Sequence, residues 1–188
     1  GTYSLHVALE KQIAEWLGHE EALVFTTGYQ TNVGTIQALL GDDCLAVVDS
    51  LAHASIRDGV RLSRAAEAKF DHNDAESLAS TLRDHAGTRY RRIVVIVDSL
   101  YAMEGSTAPL ERLIDVCKDA GALLMVDEAH GIGVFGPSGG GLTQRSGVGP
   151  QVDILMGSLS KAIGGLGGFI AASRAFVNAW FTAAVTRS

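Results

Sequence analysis

Cysteine, proline and lysine are scarce in this sequence, and a long apolar run is missing. Its 188 residues include two cysteines, three prolines and four lysines. Cys44 and Cys117 are 73 positions apart, without CxxC or paired-histidine spacing, which argues against a disulfide framework or a zinc site and favours two buried thiols. The β-branched apolar run 93–97 is far shorter than the roughly 18 residues of a membrane span, and no signal peptide is evident at the N-terminus. We therefore expect a cytoplasmic protein without a membrane span.

Basic charge is also in deficit. Fifteen Lys and Arg oppose 21 Asp and Glu, a formal net charge of −6, and no block of basic residues stands out. Nucleic acids and anionic membranes are therefore poor candidate partners. With 47% hydrophobic residues, the chain is long enough to bury a core as one domain.

Apolar periodicity alternates between short bounded runs and helical spacing. Strands are predicted near 22–25, 44–48, 67–70, 93–98, 122–127, 153–157 and 167–171, and helices near 7–17, 29–40, 54–63, 74–84, 109–120 and 173–185. Strands that are apolar on both faces, such as 93–97, belong in a parallel sheet covered by helices on both sides. The predicted fold class is α/β, a three-layer α-β-α domain around a mostly parallel seven-stranded sheet.

Local signals refine this prediction. About nine residues separate the last two strands, too few for a parallel crossover, so one strand should run antiparallel. Asn73 is the expected N-cap of the fourth helix, Pro109 should open the fifth, and Gly121 should end it.

Polar residues follow five of the predicted strands, where ligands bind in open α/β sheets. These segments are 26–29, 49–53, 98–104, 127–130 and 158–161. Lys161 stands in an apolar, glycine-rich neighbourhood that would lower its pKa and suit a Schiff-base lysine, although a solvated surface lysine fits the same local sequence. Asp127 ends an apolar strand, where it could pair with a protonated pyridine nitrogen or simply cap a turn.

Other residues at this edge have both a functional and a structural interpretation. His130 could hydrogen-bond a ligand oxygen and His53 could stack on a cofactor ring, but single histidines are more often structural. The segment Thr27-Gly28-Tyr29 would aim free N–H groups at a phosphate at the start of a helix. Ser158 and Ser160 could add hydroxyl groups to the same anion.

Three familiar motifs fail on their context. The run 131–136 matches G-x-G-x-x-G, but the sequence Pro137-Ser138-Gly139-Gly140-Gly141 that follows cannot open the required helix. A nucleotide triphosphatase needs a Gly-Lys pair, which the sequence lacks. The run 136–140 matches the G-x-S-x-G of a serine hydrolase, but it does not stand between a predicted strand and a predicted helix as that motif requires. A nucleotide-binding oxidoreductase is therefore disfavoured.

Several motifs occur together in a fixed order. They are Gly1-Thr2 with His6 and Leu9-Glu10, Phe25-Thr26-Thr27-Gly28-Tyr29, His53-Ala54-Ser55, Met103-Glu104-Gly105 with Ala108-Pro109-Leu110, Asp127-Glu128-Ala129-His130, and Gly157-Ser158-Leu159-Ser160-Lys161-Ala162. The chain thereby resembles the α-oxoamine synthases over essentially its whole length. These are pyridoxal-phosphate (PLP) enzymes of the aspartate-aminotransferase fold type, and they include 8-amino-7-oxononanoate synthase, glycine C-acetyltransferase, 5-aminolevulinate synthase and serine palmitoyltransferase.

The resemblance implies a role for each matching residue. Lys161 resembles the lysine that forms a Schiff base with PLP and moves protons at the substrate α-carbon. Asp127 resembles the partner of the pyridinium nitrogen, His130 the donor to the ring's phenolic oxygen, and His53 the histidine stacked on the ring. The remaining cofactor contacts that the resemblance implies are Thr27, Gly28, Tyr29, Asp98 and Ser158.

The sequence departs from the family at two positions and in length. Ala102 stands where many members have a serine that touches the ring oxygen, and Gly140 replaces an arginine. Family enzymes have a further N-terminal segment and a C-terminal domain with an arginine for the substrate carboxylate. We therefore expect residues 1–188 to be the PLP-binding large domain of a longer, homodimeric enzyme.

The function that the resemblance implies is acyl transfer. The enzyme would condense a small amino acid with an acyl thioester, of coenzyme A or an acyl carrier protein, and release carbon dioxide to give an α-amino ketone. An aminotransferase or lyase on the same fold remains an alternative, because fold alone does not fix chemistry. The other alternative is a noncatalytic domain that keeps the same architecture.

Overall fold

The computed structural model describes residues 3–87 and 90–186, so Gly1 and Thr2 of the first motif lie outside the described residues. The strands are β1 (Glu21–Phe25), β2 (Cys44–Asp49), β3 (Ala66–Phe70), β4 (Arg92–Asp98), β5 (Leu100–Tyr101), β6 (Ser106–Thr107), β7 (Leu123–Asp127), β8 (Ile154–Ser158) and β9 (Gly168–Ala172). The helices are α1 (Ser4–Leu17), α2 (Gly28–Leu39), α3 (Ala54–Ser63), α4 (Ala75–Asp84), α5 (Leu110–Ala120), α6 (Gly141–Arg145) and α7 (Arg174–Thr186), with a 3₁₀ turn at Gly149–Gln151.

Seven strands form one sheet in the order β1-β9-β8-β7-β4-β2-β3. Strand β9 runs antiparallel to both of its neighbours, whereas every other pair in the sheet is parallel. The short connection from β8 forces this reversal, because it leaves no room for a crossover helix. The predicted α/β class and the single antiparallel strand are both confirmed.

Alternate residues of the central strand β4 enter two separate apolar layers. Val95 and Val97 pack with side chains of α1, α4 and α5, and Val94 and Ile96 pack with side chains of α2, α3 and α7. Successive strand residues point to opposite faces, so a strand that is apolar throughout requires helices on both sides. The three-layer arrangement follows from this.

The helix boundaries agree with the sequence at two of the three predicted positions. Pro109 immediately precedes α5, and Gly121 ends it in the left-handed conformation with φ of 65°. The N-cap of α4 is Asp74 and not Asn73, so that prediction was wrong. The Asp74 carboxylate accepts hydrogen bonds from the backbone of Glu76 and Ser77, whereas Asn73 occupies a left-handed turn with φ of 56°.

Two small elements carry no sequence signal and were not predicted. These are the β5–β6 hairpin, with strands of two residues each, and the five-residue helix α6. Cys44 and Cys117 are free and buried, as the sequence indicates. Within 3–87 and 90–186, no helix has both the length and the apolar character needed to cross a membrane.

Candidate active site

A cleft of about 250 Å³ opens at the carboxyl edge of the sheet. It is lined by Thr27, Gly28, Tyr29, Asn32, His53, Ser55, Asp98, Asp127, Ala129, His130, Met156, Ser158, Ser160 and Lys161. The structure therefore brings together the nine site residues that the resemblance implies, and Ser160 as well. A wider depression of about 810 Å³ lies at the opposite edge, around the starts of β4 and β7, and contains none of them.

Lys161 and His130 are in direct contact at the rim of this cleft. Lys161 follows β8 and His130 follows β7, and Lys161 Nζ lies 2.6 Å from His130 Nε2. Partial burial lowers the pKa of both side chains, and the Lys161 charge lowers the pKa of His130 further. The negative charges of Asp127 and Asp98 act against the lowering of the Lys161 pKa. The ammonium group can thus donate to a neutral imidazole.

Asp127 forms the floor of the cleft as the last residue of β7. Its side chain is buried, at 3% exposure. One carboxylate oxygen accepts a hydrogen bond from the backbone of Ala129 at 2.8 Å, and the other accepts one from Asn32 Nδ2 at 2.7 Å. These two donors offset the cost of burying the carboxylate and fix its orientation.

His53 and Asp98 form a second polar pair beside Asp127. The backbone N–H of His53 donates to Asp98 Oδ2 at 3.0 Å, and the His53 ring caps α3 through Ser55. Burial raises the pKa of Asp98 well above its ordinary range, and the neighbouring charge of Asp127 raises it further. The His53 N–H and the Lys161 charge act in the opposite direction.

The start of α2 forms an anion cradle at one end of the cleft. Thr27 caps the helix by accepting a hydrogen bond from the Gln30 N–H at 3.1 Å. The N–H groups of Gly28 and Tyr29 have no acceptor within the helix, because no helical carbonyl precedes them. A Cβ on Gly28 would lie 3.3 Å from Ser158 Oγ, so a side chain at this position would narrow the gap between α2 and Ser158. The hydroxyl of Tyr29 donates to Asp58 at 2.8 Å. The helix dipole and N–H groups suit a phosphate.

Asp49 lies at one of the five strand ends but does not line the cleft. Its carboxylate contacts His72 Nδ1 at 2.9 Å, and His72 Nε2 contacts Ser106 Oγ at 2.8 Å. This network ties β2 to the β5–β6 hairpin. Met103 and Ala102, at the turn of that hairpin, are exposed and also lie away from the cleft lining.

The Glu128 side chain lies against two glycines of the segment 131–141. Its buried carboxylate accepts hydrogen bonds from Ser99 Oγ and the Thr143 backbone, each at 2.6 Å. A Cβ on Gly131 or Gly141 would overlap this carboxylate. The close backbone approach that the glycines allow is therefore to Glu128, and the residue has a structural role.

Gly140, the second departure from the family pattern, lies against Gln144. Its N–H donates to Gln144 Oε1 at 2.9 Å, and a Cβ at this position would lie 2.7 Å from Gln144 Cδ. The Gln144 side chain thus fills the space beside this glycine.

Sequence reasoning missed the participation of Asn32. Asn32 lies four residues after Gly28 and therefore on the same face of α2, a relationship that could have placed it beside the cleft. Ser55 belongs to a quoted motif, but the sequence indicates no role for its hydroxyl.

Comparison with protein families gives one match over nearly the whole chain. The model described as aminotransferase class I and II matches residues 1–184. The chain belongs to this family.

Similar curated proteins divide between two names. An 8-amino-7-oxononanoate synthase of Anaeromyxobacter dehalogenans (strain 2CP-C) is 47% identical over 92% of this chain, and a serine palmitoyltransferase of Caulobacter vibrioides is 43% identical over 90%. The aligned part is 43% of the first protein and 42% of the second. This aminotransferase-family chain thus spans less than half the length of the curated relatives it matches.

Solved structures give the same picture. Serine palmitoyltransferase of Sphingomonas wittichii matches 96% of this chain with a TM-score of 0.90 and 38% identity, over 45% of its own chain. A structure of SPT with a PLP internal aldimine matches the same share with a TM-score of 0.89 and 35% identity, again over 45% of its own chain. These matches confirm the predicted fold.

Proposed function

We propose that this chain is the cofactor-binding part of a PLP-dependent acyltransferase. The reaction would join the α-carbon of an amino acid to the carbonyl carbon of an acyl thioester, with release of the thiol and carbon dioxide, to leave an α-amino ketone. The observation that carries the proposal is the convergence of Lys161, buried Asp127 and the start of α2 in one cleft. The similarity to 8-amino-7-oxononanoate synthases and serine palmitoyltransferases supports the reaction class.

The donor set of the cleft fits PLP. The start of α2 and Ser158 would hold the phosphate, because a Cβ at Gly28 would fill part of the space between them. Asp127 would hold the protonated pyridine nitrogen, and His130 the phenolic oxygen. His53 would lie against the ring face. Lys161 is the one lysine in the cleft and would bind the aldehyde carbon.

PLP, when bound, supplies an electron sink that stabilises negative charge at the α-carbon of an amino acid. Lys161 would remove and return the proton at that carbon, because its lowered pKa makes its neutral amine more available than that of an exposed lysine. Asp127 would keep the pyridine nitrogen protonated through its buried carboxylate. His130 orients the lysine through the 2.6 Å contact.

The full-length protein should release carbon dioxide from an amino acid only when an acyl thioester is present, with one thiol freed for each carbon dioxide. Replacing Lys161 by Ala removes a general acid-base worth roughly 100- to 10,000-fold in rate, whereas Lys118→Ala changes an exposed lysine outside the cleft. Transfer of the amino group to a keto acid without thioester consumption would identify an aminotransferase instead. Absence of both reactions would favour a noncatalytic role.

We also propose that the full-length protein is a cytoplasmic homodimer. The free thiols of Cys44 and Cys117 suit a reducing compartment. Three large apolar side chains are exposed: Tyr3 (74%) and Leu5 (80%) at the start of α1, and Leu166 (90%) in the β8–β9 connection. Exposed apolar side chains of this kind favour contact with a second subunit. Light scattering on the full-length protein tests this; a monomer at micromolar concentration would contradict it.

A further inference from the structure

Two polar residues with no role in the proposal above connect Asp127 to His53. Asn32 Nδ2 lies 2.7 Å from Asp127 Oδ2 and 2.9 Å from Ser55 Oγ. Ser55 Oγ in turn lies 2.7 Å from His53 Nδ1. Asn32 and Ser55 are each 1% exposed, so the two middle residues of this series are buried. Four side chains from α2, α3 and β7 thus form one continuous chain of hydrogen bonds.

The direction of each hydrogen bond follows from the chemistry of the groups. The Asp127 carboxylate accepts from the Ala129 N–H and from Asn32, so Asn32 must present its amide nitrogen. The same nitrogen donates its second hydrogen to Ser55 Oγ, which leaves the Ser55 hydrogen free to be donated. His53 Nδ1 already accepts from the Ser55 backbone N–H at 3.2 Å. Nδ1 is therefore an acceptor, and the neutral ring carries its proton on Nε2.

We propose that Asn32 and Ser55 are positioning residues that lock Asp127 and His53 into one arrangement. Asn32 fixes the Asp127 carboxylate. Ser55 accepts from Asn32 and donates to His53 Nδ1, which sets the tautomer and the tilt of the histidine ring. An oxygen that accepts a hydrogen bond becomes a stronger donor, so the bond to His53 depends on an amide that His53 does not touch. The Asn32 carbonyl oxygen is buried without a partner among the described residues.

This inference rests on the proposed function for its purpose, because Asp127 and His53 are the residues proposed to hold the pyridine ring at its nitrogen and on its face. A series of hydrogen bonds that fixes both residues would present the Asp127 carboxylate and the His53 ring to the pyridine ring already oriented. Such preorganisation lowers the cost of binding and matters most where a ring must be held in one plane. The hydrogen bonds from Asp127 to His53 can be tested without any cofactor.

The test is nitrogen NMR of the histidine rings in isotopically labelled, cofactor-free protein at about pH 8.5, above the ordinary histidine pKa. The wild-type His53 should show a protonated Nε2 and a hydrogen-bonded acceptor at Nδ1. In Asn32→Leu and Ser55→Ala, the Nδ1 resonance should move toward the value of a more weakly hydrogen-bonded acceptor, because the Ser55 backbone N–H remains as its donor. Ser55→Thr, which keeps the hydroxyl, should restore it.

Thr35→Val is the matched control, because Thr35 is buried on the same helix and its hydroxyl has no partner among the described residues. It should leave the His53 resonance unchanged. The proposal fails if Asn32→Leu shifts Nδ1 no more than Thr35→Val does. Asn32→Ala, which puts no bulk against Asp127, gives the same reading if the leucine variant does not fold.

A second measurement separates this inference from the proposed function. PLP should bind Asn32→Leu at least tenfold more weakly than wild type, while Thr35→Val binds as wild type does. If the wild type binds no PLP but its His53 resonance responds as expected, the proposed function fails and the hydrogen-bond chain stands. If PLP binds wild type and Asn32→Leu equally, and the His53 Nδ1 resonance does not move in Asn32→Leu, the inference about the hydrogen bonds is wrong and the proposed function stands.

Discussion

Asp98 and Asp127 are paired across β4 and β7 as the last residues of two neighbouring parallel strands. Both carboxyl groups are buried, at 6% and 3% exposure. Parallel strands bring their carboxyl ends to the same edge, so two acidic side chains share a small desolvated space. Two like charges in such a space favour a proton on one of them, and the pKa of Asp98 is the one that is raised.

This pairing predicts how stability depends on pH in the cofactor-free protein. Because the folded pKa of Asp98 lies above its ordinary value of 3.8, the folded state binds the proton more tightly than the unfolded state. The stabilisation is complete below the unfolded pKa and is lost as pH rises through the folded pKa, by at most about 1.4 kcal/mol per pH unit. Between pH 3.8 and about 8, the free energy of unfolding of Asp98→Asn should therefore fall less steeply with pH than that of the wild type.

Urea unfolding at a series of pH values measures the effect. Asp119→Asn, which changes an exposed carboxyl group, is the control and should follow the wild-type curve. Parallel curves for wild type and Asp98→Asn would contradict a raised pKa at Asp98.

The lowered pKa of Lys161 predicts unusual chemical reactivity. More of its amine is neutral at a given pH below the ordinary lysine pKa, so an amine-directed acylating reagent at about pH 8 should modify Lys161 before the others. Lys11, Lys69 and Lys118 are exposed and provide internal controls. Mass spectrometry of peptides at short reaction times gives the four rates, and equal rates would contradict the effect of partial burial.

Gly157 in β8 has no room for a side chain. A Cβ at this position would overlap the ring of Phe169, which is fully buried. Gly157→Ala should therefore lower the free energy of unfolding by about 1–3 kcal/mol. Gly165→Ala, in the β8–β9 connection, places its Cβ 3.5 Å from the carbonyl of Leu159 and should have little effect. Thermal unfolding of both variants checks the contrast.

Gly28 should matter for cofactor binding more than for stability. Gly28→Ala narrows the gap to Ser158, where a Cβ would lie 3.3 Å from the hydroxyl oxygen, so the Kd for PLP should rise at least tenfold, about 1.4 kcal/mol. Gly34→Ala adds a methyl group on the same helix, 3.6 Å from the Phe25 ring, and should leave PLP affinity unchanged. Equal Kd values for the two variants would contradict a phosphate cradle at the start of α2.

The main elements of the fold could be predicted from the sequence. Apolar runs such as 93–97 mark strands buried on both faces, and Gly121 marks the end of a helix. Two-residue strands such as β5 and β6 have no periodicity to detect. The prediction of Asn73 as the N-cap of α4 failed because Asn73 and Asp74 are both good capping residues. Asn73 adopts a left-handed conformation before the helix, so Asp74 is the residue that caps it.

The cleft could be predicted only in part. Residues at the ends of parallel strands converge by topology, which brings Asp98, Asp127 and Lys161 together without knowledge of side-chain directions. Consecutive residues at a strand end leave in different directions, so Asp127 lines the cleft while Glu128 holds the glycine-rich loop. The spacing of Asn32 from Gly28 could have placed Asn32 beside the cleft, but its hydrogen bond to Asp127, 95 positions away, has no local signal.

Covalent binding of pyridoxal phosphate by Lys161 underlies the whole proposed function. The full-length protein should be mixed with PLP, its visible absorbance recorded, and the mixture reduced with borohydride before peptide mass spectrometry. We expect a visible band that disappears on reduction, with the cofactor fixed on Lys161 and on none of the other three lysines, and no such band in Lys161→Ala. A wild-type protein without a band, or with the label spread over the exposed lysines, would contradict it.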